Sequence, residues 1–452
     1  MTRKKIFMQS MLTVLFLLIF VQTAGAGADW KEKQDRMFEQ IPVKPGDVIN
    51  QSNWEKVKEL MPEPFLEHGV KTGDWPLTIA EFEFDYDYDP EYYELSAQNE
   101  GRYTLGPKKE IIDVKTGTFP MFIRGMPFPN VDVKNDPDGP IKFMHNNNLN
   151  LFMQAGYSCY EYPSDGNLHW VGRGGYERGV GFYDEINYWW NRPRGEIPNP
   201  REYKLTNFLT SKWPFDLSGT VTLYIRHLDG RADSMYAYVP AIRRVKRLSG
   251  ANRSDPQMGS DQCMDDSDGY AGHIEAMKWR YIGEKIMLKP IPKNEAKAPL
   301  KLKQGKHGEW QKNTTDSCKL GYQEEGWTGA PWAYVNHVWV PREMWIIEAA
   351  PLDPYYAYGT MVLYLDKITA TCSFNMKYSR AGEFWKYIVY SATPVVWHGG
   401  KKLLSFYGPS CVCDVKTDHA SPTVLDYMNQ SCDDPRIDGR NHSPQKLRTS
   451  SK

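Results

Sequence analysis

The chain has 452 residues, 25% of them charged and 41% hydrophobic, with 55 basic residues against 56 acidic ones. That length can bury a large core, and the composition is that of a globular chain, neither disordered nor membrane-embedded. A formal charge of −1 argues against a general nucleic-acid binder, which needs a strong basic excess.

Met1–Lys5 is basic, Met11–Val21 is an apolar run, and the small residues Ala24-Gly25-Ala26-Gly27-Ala28 follow. This order predicts a signal peptide over residues 1–26, because the apolar run is shorter than the roughly 20 residues that span a bilayer. The predicted location is therefore the periplasm, with the protein soluble or loosely held at the outer membrane. The leader carries Arg3, Lys4 and Lys5 and no acid, so its removal lowers the 55 basic residues by three, to 52, against 56 acidic.

Residues 27–70 read as a helical segment. Asp29–Gln40 has mixed charge and few breakers. Ser52–Leu60 opens with Ser52 and has Glu55 three residues later, a capping-box pattern stopped by Pro62 and Pro64. Residues 71–432 form the main body, where strand signals dominate. Gly219–Leu228 alternates apolar and polar residues, Asp229-Gly230 turns the chain, and Met235–Val239 returns. The same grammar recurs in Ala333–Val340, Met344–Ala349, Gly359–Leu365, Ile368–Met376 and Glu383–Tyr390. Pro127–Pro140, Asn191–Arg201 and Pro290–Asn313 read as loops, and residues 433–452 as a polar tail. The turn spacing predicts an antiparallel meander.

The chain contains seven cysteines, with no C-x-x-C pair. Export permits disulfides, the odd number leaves at least one thiol over, and connectivity is not readable. Cys411-x-Cys413 places two thiols on one strand face. No nucleophile elbow, zinc helix or phosphate loop occurs, and no cofactor is indicated.

Three constellations stand out. In Pro240–Arg247, the cations Arg243, Arg244, Lys246 and Arg247 crowd into five positions. They suit anionic headgroups or an acidic partner, or a solvated edge strand protected from pairing. Asp261–Gly269 carries four carboxylates, including Asp265, Asp266 and Asp268. Aligned with a calcium loop, its first ligand position is Met264, which offers no charged oxygen. The other readings are a charge complement to the nearby basic segment and a plain acidic turn. In Gly125-Met126-Pro127-Phe128-Pro129, Pro127 stiffens a turn presenting Phe128, as a pocket rim or a packed loop.

Together these residues resemble a family of exported bacterial proteins catalogued as a domain of unknown function and described as similar to outer-membrane lipoprotein-sorting proteins. Gly125–Pro129 looks like its G-x-P-F-P element. Tyr238–Arg247 resembles its Y-x-P-x-x-R-R-V-R-R block, with Lys246 replacing an arginine. Asp265-Asp266-x-Asp268-Gly269-Tyr270-x-Gly272 looks like its paired-aspartate segment. Trp345–Ala349, Leu363–Asp366 and Gly382–Lys386 resemble its C-terminal strands. The extra cysteines and the tail beyond about Cys411 depart from it. The resemblance implies a mainly β (α+β) fold like the carriers LolA and LolB, a strongly curved antiparallel sheet or unclosed barrel with short covering helices around a hydrophobic cavity. It implies a periplasmic binding or carrier protein for a lipid-like ligand, not an enzyme, and a resistance-nodulation-division-type transporter as partner. Arg243, Arg244, Lys246, Arg247, Phe128, Pro127, Asp265 and Asp266 are then the candidate ligand-binding residues, and peripheral membrane contact fits the basic segment. The rival readings are an envelope enzyme using the acidic loop, and a scaffold or carbohydrate-binding module using rings such as Trp189-Trp190.

Overall fold

The computed structural model describes residues 29–450 apart from 89, 151–156, 162–167, 172–175, 179–180, 190–195, 197, 250–251, 258, 312–317, 398–400, 424–430, 433–434 and 436–438. The leader lies outside the described residues. Two large, open, almost wholly antiparallel sheets dominate.

Sheet I has ten strands. Its spatial order runs Met277–Pro292, His337–Pro351, Thr360–Asp366, Cys372–Tyr378, Phe384–Trp397, Lys401–Asp414, His419–Thr423, Leu168–Val171 and Tyr176–Arg178, with Leu300–Lys301 parallel to the far end of Phe384–Trp397. Sheet II has nine, ordered Arg244–Leu248, Ser234–Val239, Val221–His227, Tyr203–Trp213, Gly181–Tyr188, Tyr157–Glu161, Ser431–Cys432, Trp310–Gln311 and Lys303–Gln304. The expected class, mainly β with unclosed antiparallel sheets and short helices, is what the chain adopts.

The alternation along sheet I makes two buried faces. Phe374 and Met376 pair with Val389 and Tyr387, and Cys411 and Cys413 follow on the same face. This face packs on residues 43–79, with Phe65 at the centre of a ring cluster. The Phe65 ring centroid lies 5.1 Å from Phe374, 5.5 Å from Tyr387, 5.7 Å from Trp75 and 5.8 Å from Trp339. The opposite face presents Leu363, Ile388 and Val412, and is covered by residues 263–277 and the helix Gly139–Asn150.

Several elements differ from the sequence expectation for identifiable reasons. Ser52 does not cap a helix. Asn50 Oδ1 accepts from the Ser52 N–H and Oγ, and Asn53 Oδ1 accepts from the Asn50 N–H. These side-chain turns compete with a helix start, leaving only a 3₁₀ turn at Trp54–Val57. Two expected strands merge into His337–Pro351 across Pro341. At Pro341 the strand has a ladder toward Leu288 only, because pairing to Thr360–Asp366 starts at Met344. The missing N–H therefore costs no ladder bond. The stretch read as a loop from Pro290 instead completes the strand Met277–Pro292 and then forms the helix Lys293–Lys297. The tail is docked as well: Pro444–Ser450 is helical and Leu447 is fully buried against Phe208, Val221 and Leu223.

Candidate functional site

The acidic segment is an internal charge layer against sheet I. Asp266 and Lys377 form an ion pair with side chains 2% and 0% exposed. Asp266 Oδ2 accepts from the Cys263 N–H at 2.8 Å, and the Tyr390 hydroxyl donates to the Asp266 carbonyl at 2.7 Å. Burial lowers the affinity of Lys377 for its proton, but the facing Asp266 outweighs it and holds the ammonium above its usual range. Asp261 lies 3.7 Å from Lys386, contacts His419 and accepts from Ser421 Oγ at 2.8 Å. Asp414 completes the Lys386 environment at 3.4 Å.

Asp265 carries the layer toward sheet II. It pairs with Arg253 and accepts from the Tyr356 hydroxyl at 3.0 Å. Arg253 donates onward to Asp233 at 2.6 Å, where Tyr224 also donates at 2.6 Å and Arg226 lies at 3.3 Å. His273 Nε2 is 2.8 Å from Asp233. Burial raises the Asp233 pKa, but Arg226 and Arg253 more than reverse this and hold the carboxyl well below its usual range. The partners of the acidic segment are thus Lys377, Lys386 and Arg253. The Arg243–Arg247 segment, considered as its complement, is not among them. Asp268 is half-buried, yet its Oδ2 is shut from solvent without a hydrogen-bond partner among the described residues, and burial pushes its pKa up to about 8.

Next to this layer is an apolar trough between elements, filled by packed side chains. The hairpin Tyr103–Leu105 and Ile111–Asp113, with the chain on to Val131, covers Leu205 and Tyr224 of sheet II, Leu228 just after its strand, and Val395 of sheet I. Pro127 and Phe128 are buried in this cover. Asn146 clasps Phe128, its Oδ1 accepting at 3.0 Å and its Nδ2 donating at 2.7 Å. Gly125 has φ 76°, and a Cβ there would sit 2.7 Å from the Ser96 nitrogen, so the turn requires glycine. Around the trough Phe119, Met121, Met235 and Met264 are only partly buried.

A small cleft opens beside the trough. It is lined by apolar Ile111, Phe119, Pro120 and Leu228 and by titratable Lys204, His227, His273, Glu275 and Glu110. Its free volume is about 20 Å³, room for roughly one water. Burial pulls Lys204 down to about 7. Burial raises Glu275, but His145, Lys204 and His273 outweigh it and lower its pKa. Burial, then Arg231, lowers His227. His273-x-Glu275 resembles the start of a zinc deaminase motif without its P-C-x-x-C partner, whereas Lys204 and His227 carry no sequence signal, because a lone cation on a strand reads as solvated.

The remaining candidates fall elsewhere. Arg243 takes a left-handed backbone, and Arg244–Leu248 is the exposed free edge of sheet II. Cys411 and Cys413 share a strand face with sulfurs 3.7 Å apart, and both are buried thiols, as are Cys263, Cys318 and Cys372. The side chains of Cys159 and Cys432 lie outside the described residues. Among the described residues, no His, Cys, Asp and Glu cluster fits a metal ion. Trp189 is buried against Tyr203, and Trp190 lies outside the described residues.

A family profile, "Protein of unknown function (DUF1329)", matches residues 48–448. The chain belongs to the DUF1329 family. No curated protein matches it. Among solved structures it is similar to a putative outer membrane lipoprotein-sorting protein domain from Vibrio parahaemolyticus, at 14% identity and TM-score 0.43 over 69% of this chain and 100% of that one. A DUF1329 family protein from Desulfovibrio piger gives 14% and 0.43 over 68% and 99%. A LolA superfamily protein from Nitrosomonas europaea gives 11% and 0.38 over 67% and 97%. Identities this low transfer no function.

Proposed function

We propose that this DUF1329 protein is an exported, non-catalytic binding or carrier protein for a lipid-like ligand. The observation that carries the reading is that the apolar trough and the polar cleft share Ile111, Phe119 and Leu228. A filled apolar cluster therefore borders a small titratable cleft, the pairing of surfaces an amphiphile would use once the cover opens. A long acyl chain gains roughly 0.8 kcal/mol per CH₂ on leaving water. Met121, Met235 and Met264 give the trough a wall that repacks around different chains. In this reading the tail displaces part of the 103–131 cover and the head sits at Lys204 and Glu275. Cargo then passes to an envelope transporter of the resistance-nodulation-division type, the partner that the family resemblance implies. The acidic segment favours a carrier over an enzyme, because Asp261, Asp265 and Asp266 are spent on internal ion pairs. Trp189 is buried, so it offers no exposed ring on which a sugar would stack.

The test is uptake of an apolar fluorophore by the delipidated protein. Met121→Glu and Met235→Glu should each abolish uptake with the near-ultraviolet circular dichroism retained. Uptake unchanged in both variants would remove the trough as the binding site.

A further inference from the structure

The free edge of sheet II is more basic than an edge guard requires. Pro240–Leu248 holds Arg243, Arg244, Lys246 and Arg247 and no acid. Every residue from Ala241 to Ser249 is exposed. Arg244–Leu248 is paired on one side only, to Ser234–Val239. Among the described residues these four cations make no ion pair, unlike the lysines and arginines of the interior layer. The apolar side chains among them are exposed too: Ile242 by 44%, Val245 by 39% and Leu248 by 38%.

A second element extends the patch. The C-terminal helix Pro444–Ser450 packs on the same strands through Leu447. That helix adds Lys446 and Arg448, both exposed. Two segments far apart in sequence thus bring six cations to one edge of a chain whose overall formal charge is −1. One or two charges suffice to block edge-to-edge pairing. Basic side chains interleaved with exposed aliphatic ones are instead the composition that lies on a charged lipid surface, with cations at the headgroups and aliphatic groups at the interface.

We propose that the edge strand Arg244–Leu248, with Arg243 and the C-terminal helix, docks the protein on an anionic bilayer surface. This goes beyond the carrier reading and does not depend on any cargo. The occupant is a membrane rather than an added peptide strand. The cations project from both faces of the strand and from the helix, covering more than the single backbone edge that a peptide would pair with.

The experiment is co-sedimentation of the mature protein with vesicles of phosphatidylcholine, alone or with about one-third phosphatidylglycerol. Wild type should bind the anionic vesicles at about 0.05 M NaCl, leave them at about 0.5 M, and ignore neutral ones. Each cation near the surface is worth about fivefold in partitioning, so the triple variant Arg244→Thr, Lys246→Thr, Arg247→Thr should bind about a hundredfold more weakly. Should that variant aggregate through its unprotected edge, Lys446→Glu leaves the strand intact, changes the charge by two and should still weaken binding by about 25-fold. Equal binding to both vesicle types, or variants partitioning as wild type, would overturn the proposal. So would retention of wild type by an acidic polypeptide with no binding to anionic vesicles.

Discussion

Asp266→Asn is the sharpest perturbation of the internal charge layer. The amide keeps the shape of the carboxylate and can still accept from the Cys263 N–H, but it leaves the Lys377 ammonium without a counter-charge at 0% exposure. Its other neighbours are Cys263 Sγ, 3.9 Å away, and the Tyr358 ring, 4.1 Å away, both worth far less than a carboxylate. Breaking one side of a buried pair costs about 3–5 kcal/mol. Against a total stability of about 5–15 kcal/mol, that is a large share. Lys377→Met should cost a similar amount, since it strands Asp266. The double variant has neither charge and should recover at least about 2 kcal/mol relative to the sum of the singles. Urea unfolding monitored by tryptophan fluorescence gives all the values of this cycle. A single-variant loss below about 1 kcal/mol, or a double variant equal to the sum of the singles, would refute the claim that the segment is held by this pair.

Phe65→Ala should destabilise by about 3–5 kcal/mol in the same assay, because the ring fills the junction of the N-terminal segment and sheet I. His337 is buried, its Nε2 is 2.9 Å from Ser391 Oγ, and burial lowers its pKa to about 3. The unfolded chain then binds the extra proton first. Stability should therefore fall by up to about 1.4 kcal/mol per pH unit below the ordinary histidine value of about 6.5, and His337→Gln should flatten that slope. Lys289 has its ammonium 2.7 Å from Thr371 Oγ1 and no carboxylate within ion-pair distance among the described residues, and burial lowers its pKa to about 8. Its depressed pKa makes stability climb as pH rises from about 8 toward 10.4. Lys289→Met should remove that climb and stabilise the protein at neutral pH by about 1–3 kcal/mol, read from urea unfolding across the pH range.

The hairpin Val221–His227 and Ser234–Val239, and most of the C-terminal meander, were legible because alternation and turn residues are local signals. The long strand Met277–Pro292 was not, because its outer half alternates lysine and arginine with rings and its inner half is buried on both sides. The helix Gly139–Asn150 was hidden by Asn146-Asn147-Asn148, poor helix formers whose side chains are buried here. The charge layer was invisible for a different reason. Lys377 and Lys386 read as outward-facing strand residues, and Asp266 lies 111 positions from Lys377, so their complementarity exists only in the folded chain. One signal was present: Cys372–Tyr378 has apolar residues at Phe374 and Met376, while its other face carries Ser373, Asn375 and Lys377 in a strand that is buried throughout. A lysine in such a strand calls for an internal counter-charge. The trough and cleft depend on residues 103–131 closing over strands about a hundred residues later, which no local pattern encodes.

The carrier reading is tested most directly by native mass spectrometry of the protein, purified from its native host without detergent and followed by solvent extraction. The account predicts a co-purifying amphiphile, released on denaturation and absent from the Met121→Glu variant. A protein that arrives empty and takes up no lipid or apolar probe from a broad panel would contradict it.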